Sequence, residues 1–177
     1  MTKPYTIMTV CTGNICRSPM AQVVLASYFR EAGLENAVSI DSTGVSDEEF
    51  GHPIDPRAQK VLKERGYTVP RHSARQISPS EAASTDLLLP MTAAHKRSLL
   101  RFVPPSHAGA VHLYRGFDPK LPAPKSQYDN SIDLVDPWYG GPEDFDIAID
   151  QIEEVAPFIV EYVREQLAAK EESAEAL

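Results

Sequence analysis

The strongest constraint on this chain lies near its start, where an apolar run from Tyr5 to Val10 leads directly into Cys11-Thr12-Gly13-Asn14-Ile15-Cys16-Arg17. Ser18-Pro19 then opens a helix, since Ser is favoured at the N-cap and Pro at the first helical position. Ala21, Val24, Leu25, Tyr28, Phe29 and Ala32 follow at helical spacing, and Gly33 ends the pattern. The unit is strand, loop, helix. A loop in that place can turn its backbone amides around a tetrahedral oxyanion, and the helix dipole adds roughly half a positive charge beneath them. The same field favours an anionic sulfur on Cys11, and Arg17, six positions later, can hold two phosphate oxygens with its planar fork. Thr12 to Ser18 is therefore the expected phosphate-binding segment.

The remainder alternates strands with helices. Val38 to Ile40 reads as a second strand ending in Ser42-Thr43-Gly44. Asp55-Pro56 caps a second helix carrying Ala58, Val61 and Leu62, which Gly66 stops. Ser78-Pro79-Ser80-Glu81 has the form of a capping box over a short helix. Leu87 to Leu89 is a third, wholly apolar strand. Thr92 caps another helix through Leu99, Leu100 and Phe102, stopped by Pro104-Pro105, and Val111-His112-Leu113 forms a fourth strand. Strands alternating with helices imply parallel pairing and an α/β domain. Tyr114 to Gly141, rich in Pro, Asp and Gly, reads as a long surface loop, and loops of that length are usually functional or mobile. The last helix carries Ile149, Ile152, Ala156, Ile159, Val163 and Leu167 on one face, with Pro157 expected to kink or split it. The closing stretch 168–177 is expected to fray.

At 177 residues the chain suits a single domain spanning 1–177. Its 42% hydrophobic and 24% charged residues are those of an ordinary globular protein. The first residues lack the apolar block and cleavage site of a signal peptide, and no stretch is apolar enough to span a bilayer. A cytoplasmic protein without membrane contact is expected, although secretion without a signal peptide stays compatible with the sequence. In that compartment Cys11 and Cys16 would remain thiols. A formal charge of −8 argues against nucleic acid, which needs clustered Lys and Arg, but not against a small anion held locally by amides. No histidine pair has metal-ligand spacing with further Cys or Asp partners, so no metal is expected.

Attack by the Cys11 thiolate on phosphorus gives a phosphocysteine, and the departing oxygen then needs a proton. Asp136, on the long loop, is the best-placed donor. An aspartate before proline is often only a turn former; the loop and the first motif together favour the acid role. Trp138 and Tyr139 suit either an aromatic wall against the substrate or an anchor for the loop. Cys11 alone would pass for a small buried hydrophobe, and it is the cradle around it that makes it a nucleophile. Cys16 fits two readings, a packed thiol or a resolving thiol that forms a reversible disulfide with oxidised Cys11.

With VCTGNICRSPMAQ near the start and DPWYG late, the chain resembles the low-molecular-weight protein tyrosine phosphatase family from about Tyr5 to about Leu167. The resemblance implies a four-stranded parallel sheet flanked by helices on both faces, with the phosphate-binding loop after the first strand and no metal or organic cofactor. It also implies supporting roles: Asn14 holding the loop's strained conformation, Ser18 steadying the thiolate, and Ser42 and His72 forming the network behind Asn14. His72 then serves as a hydrogen-bonded structural residue rather than a proton carrier. The implied substrates are phosphotyrosine proteins or small aryl phosphates. A tyrosine kinase acting on Tyr139 is a further implied partner, because Trp138 stands where relatives commonly carry tyrosine. Relatives also usually have an aromatic residue in the loop after the second strand, whereas Ser46-Asp47-Glu48-Glu49-Phe50 places acids there.

The main rival is an arsenate reductase on the same scaffold, since arsenate fits a phosphate cradle. No cysteine follows Cys16, so only a version using a small external thiol survives. A phosphotyrosine-binding module would keep Arg17 but lose the nucleophile or the acid, and both are present. A nucleotide-binding loop would need G-x-G-x-x-G or Gly-Lys-Ser/Thr after the first strand, and neither occurs.

Overall fold

A computed structural model describes residues 2–177, leaving Met1 outside the described residues. Its strands are β1 (Tyr5–Cys11), β2 (Val38–Gly44) and β3 (Leu87–Pro90), ordered β2-β1-β3 and all parallel. The register pairs Cys11 with Gly44 and Val10 with Pro90, so all three strands end at one edge. The helices are α1 (Arg17–Glu31), α2 (Pro56–Glu64), α3 (Pro79–Ser84), α4 (Ala93–Leu100) and α5 (Pro142–Glu175).

Strand periodicity sorts them onto two faces. Tyr5, Ile7, Leu87 and Leu89 point into a core shared with Leu25 and Phe29 of α1, Leu62 of α2, and Ile152 and Ile159 of α5. Met8, Val10 and Leu88 point the other way, onto Ala82 of α3, Leu99 of α4, Val103 and Val111. Both faces of the sheet are thus covered, as expected of a parallel sheet.

The expected fourth strand is not formed as such. Val111 makes one isolated parallel bridge to Leu88, and the His112 amide donates to the Leu88 carbonyl at 2.9 Å. Two 3-10 turns, Pro105–Ala110 and Tyr114–Phe117, close in on either side, leaving only three residues free to extend. The described sheet therefore has three strands, not four.

Helix starts follow their sequence signals at three places. Asp55 caps α2, Ser78 and Glu81 form the capping box of α3, and Thr92 caps α4. At α1 the start differs: Cys16 occupies the N-cap without a side-chain bond, and Ser18 lies buried inside the helix. α5 runs unsplit through Pro157 and continues through the stretch expected to fray, as far as Glu175. Pro157 lies on the exposed face, where water can satisfy the carbonyl that loses its N–H partner. Apart from the turn at Tyr114–Phe117, residues 114–141 carry no helix or strand. Among the described residues no helix is long and apolar enough to cross a membrane.

Candidate active site

The loop after β1 is shaped by bonds to the outside of its carbonyls. Val45 and Ser46 amides donate to Cys11 and Thr12 oxygens at 2.9 and 3.1 Å, and the Asp55 amide to Ile15 at 2.8 Å. His72 Nε2 donates to the Asn14 carbonyl at 2.6 Å. Because each peptide unit is planar and trans, an outward carbonyl turns the next residue's N–H inward. The amides of Thr12, Gly13, Ile15 and Cys16 therefore face the hollow of the loop, directly above the start of α1.

Asn14 makes this turn possible. It is the one described non-glycine residue in the left-handed region, at φ 61°, a conformation Asn tolerates better than most residues. Its side chain is saturated: Nδ2 donates to Ser18 Oγ at 2.9 Å and Ser42 Oγ at 3.1 Å, while Oδ1 accepts from the Arg75 amide at 3.1 Å. Ser42 in turn donates to Gln22 Oε1 at 2.6 Å. Ser18 Oγ lies 3.1 Å from Cys11 Sγ and 3.1 Å from the Thr43 carbonyl. A hydroxyl has one proton to donate. Facing a thiol it donates to Thr43, and facing a thiolate it can swing that proton to sulfur, so the anion gains a donor without any movement of the backbone.

Cys11 and Cys16 are both free and buried. Burial, with Asp55 and Cys11 close by, pushes the Cys16 thiol up far beyond its ordinary range, so at neutral pH Cys16 stays protonated. Arg17 is buried, with Nη1 donating to the Leu134 carbonyl and Nη2 to Asp136 Oδ2, each at 3.2 Å. Asp136 lies 119 positions away in sequence, yet shares a cleft of about 250 Å³ with Cys11, Arg17, Trp138 and Tyr139. Trp138 is 40% exposed and Tyr139 90%. Glu48 and Glu49 line the same cleft, whereas Phe50 is 71% exposed and lies outside it. Glu49 is paired to His52 at 2.6 Å.

The structure thus gathers Thr12, Gly13, Ile15, Cys16, Arg17, Asp136, Trp138 and Tyr139 around Cys11, with Asn14, Ser18, Ser42 and His72 behind it. Four contributors escaped the sequence reading. Gln22 holds Ser42, the Arg75 amide holds Asn14, His95 lies 2.8 Å from Thr12 Oγ1, and Arg57 donates to the Trp138 carbonyl at 3.2 Å. Helix spacing places Gln22 one turn after Ser18; for the others only a tertiary contact marks the role. Among the described residues no three His, Cys, Asp or Glu side chains cluster as metal ligands.

Comparison with known proteins agrees with this geometry. A protein named low molecular weight protein-tyrosine-phosphatase, from Streptomyces coelicolor, is 36% identical over 94% of this chain and 98% of its own length. Low molecular weight protein-tyrosine phosphatase A of Mycobacterium tuberculosis is 36% identical over 95% and 97%. Among solved structures, a protein tyrosine phosphatase from Entamoeba histolytica superposes with a TM-score of 0.83 at 26% identity, covering 92% of this chain and 98% of that one. Residues 6–171 match the family described as low molecular weight phosphotyrosine protein phosphatase, and the chain belongs to that family.

Proposed function

We propose that the protein hydrolyses phosphotyrosine in proteins, and small aryl phosphates, in two steps through a phosphocysteine on Cys11. The observation that carries this reading is the convergence of a nucleophile, a guanidinium and a loop carboxyl on one cleft, with Arg17 and Asp136 in contact at 3.2 Å. In the first step the Cys11 thiolate attacks phosphorus while the bond from phosphorus to the aryl oxygen breaks. The inward amides of the loop and the Arg17 fork hold the equatorial oxygens. A phosphate on Arg17 competes with Asp136 for the guanidinium, so substrate binding releases the carboxyl toward the leaving oxygen. Protonated Asp136 gives its proton to that oxygen, and a phenol departs.

In the second step Asp136, now a carboxylate, takes a proton from water as the water oxygen attacks phosphorus. The sulfur–phosphorus bond breaks, inorganic phosphate leaves, and the thiolate is restored with Ser18 Oγ available to donate to it. Trp138 and Tyr139 offer ring faces to an aromatic substrate at the cleft mouth. Tyr139 is also the exposed residue a tyrosine kinase would reach. Arsenate reduction would use the same cradle, but the relatives carry the phosphatase name, and that reading is not favoured.

Hydrolysis of p-nitrophenyl phosphate with chelator present, from pH 4 to 8, tests the mechanism. Cys11→Ser is expected to abolish turnover, and Asp136→Asn to lower kcat/KM by about 10²–10⁴-fold, the range for a lost general acid. Full turnover by Cys11→Ser would overturn the covalent mechanism, and unchanged kcat/KM in Asp136→Asn would overturn the acid assignment.

A further inference from the structure

Residues 118–141 include the Asp136 loop and carry no helix or strand, so once a phosphate takes Arg17 from Asp136 another group outside the loop must hold the carboxyl over the cradle. Arg57, in the first turn of α2, is placed to do so. Its Nε and Nη2 grip Asp55 Oδ1 and Oδ2 at 3.1 and 3.0 Å. Asp55 is buried at 7% exposure, caps α2 through the Arg57 amide at 2.8 Å, and donates its own amide to the Ile15 carbonyl of the phosphate loop at 2.8 Å. That leaves Nη1, which donates to the Trp138 carbonyl at 3.2 Å. The guanidinium carbon also lies over two aromatic rings, 5.3 Å from the Trp138 centroid and 4.7 Å from that of Phe145 in the first turn of α5. Both distances are within cation–π range. Trp138 passes the restraint on, because its amide donates to Asp136 Oδ1 at 3.1 Å.

We propose that Arg57 is a positioning residue for the leaving-group proton. It couples the phosphate loop, through Asp55 and Ile15, to the acid loop, through Trp138, so that the Asp136 carboxyl is set at a fixed height above Cys11. Arg57 does not line the cleft and so acts only through Trp138 and Asp136. A lysine cannot replace it, because one ammonium cannot grip a carboxylate in a fork, donate to a carbonyl and lie over two rings together.

The inference rests on Asp136 as general acid, and the experiment separates the two. Arg57→Lys, Asp136→Asn and the double variant are assayed for kcat/KM on phenyl phosphate, whose leaving group needs a proton, and on 2,4-dinitrophenyl phosphate, whose leaving group does not. Thermal midpoints are measured alongside, and Arg57→Gln stands in if the lysine variant does not fold. Arg57→Lys is expected to lose about tenfold on phenyl phosphate, as misplaced catalytic groups do. On 2,4-dinitrophenyl phosphate it should lose less than about twofold, because proton donation matters little there. In the Asp136→Asn background the same change should cost nothing further, since groups acting as a unit are not additive. Equal loss on both substrates, or a loss that adds to that of Asp136→Asn, would overturn the positioning role while leaving Asp136 as the acid. Undiminished hydrolysis of phenyl phosphate by Asp136→Asn would overturn both.

Discussion

At the scale of single residues, the site depends on two backbone positions with little tolerance. Asn14 keeps φ 61° because four hydrogen bonds over-determine it, three through its side chain and one through its carbonyl. Gly44, paired with Cys11 across β1 and β2, is restricted by space instead. A Cβ there would lie 2.4 Å from the Thr12 oxygen and 3.2 Å from the Asn14 nitrogen. Both are backbone atoms, so the loop after β1 must itself shift. Gly44→Ala is therefore expected to lower kcat/KM on p-nitrophenyl phosphate by at least about tenfold, as displaced catalytic groups do. It should also destabilise by about 1–3 kcal/mol, the usual cost of overpacking. Steady-state kinetics with urea melts would check both, and wild-type kinetics would show that the loop tolerates the displacement. That Cys11, Arg17 and the loop residues between them gather in one place was legible from their spacing. Arg57 and His95 were not legible, because a contact between α2 and a distant loop, or between α4 and Thr12, leaves no periodic trace.

At the scale of elements, α5 divides by burial. Its inward residues from Phe145 to Val163 are buried, whereas nearly everything after Leu167 is exposed. Lys170 pairs with Asp86 at 3.2 Å and lies 5.0 Å from the Tyr5 ring, but an exposed ion pair contributes only about 0–1 kcal/mol. A helix without packed surface is marginal in water. Amide exchange followed by mass spectrometry should thus show strong protection through Val163 and rapid exchange beyond Lys170. Protection as deep at Ser173 as at Ile159 would contradict this. The same contrast marks how far elements were legible. Helix faces and caps such as Asp55, Ser78 and Thr92 declared themselves, since capping chemistry is local. The fourth strand did not survive, because three apolar residues between two 3-10 turns satisfy a strand pattern without room to pair. The lost hydrogen bond at Pro157 predicts a kink, but its exposed setting, invisible in the sequence alone, decides that the loss does not matter.

At the scale of the whole molecule, the stability of the fold is tied to pH through groups that are buried neutral or held charged. His95 on α4 is the case that acts in the acid range. It is 5% exposed, its Nδ1 has no partner among the described residues, and burial, with Arg17 charge nearby, pushes its imidazole down to about 3 from 6.5. Burial likewise lowers His112, helped by Lys96. The unfolded chain therefore binds more protons than the folded one between pH 6.5 and about 3, and stability must fall as pH falls through that window. The slope from His95 alone approaches about 1.4 kcal/mol per pH unit. Asp55, Glu81 and Asp86 are also lowered, although burial opposes this in each. Their bonds to Arg57, to Ser78 with Arg75, and to Thr6 prevail. Depressed carboxyls contribute stability that is present above their unfolded pKa near 4 and lost only below it, so they add to the acid limb at lower pH than His95 does. Urea melts at pH 7 and pH 5 should then differ by about 2 kcal/mol, mostly through His95. His95→Asn should be less stable at pH 7, where it loses packing, yet show a much shallower slope between pH 7 and pH 5, left mainly by His112. An undiminished slope in that variant would assign the acid sensitivity to another group.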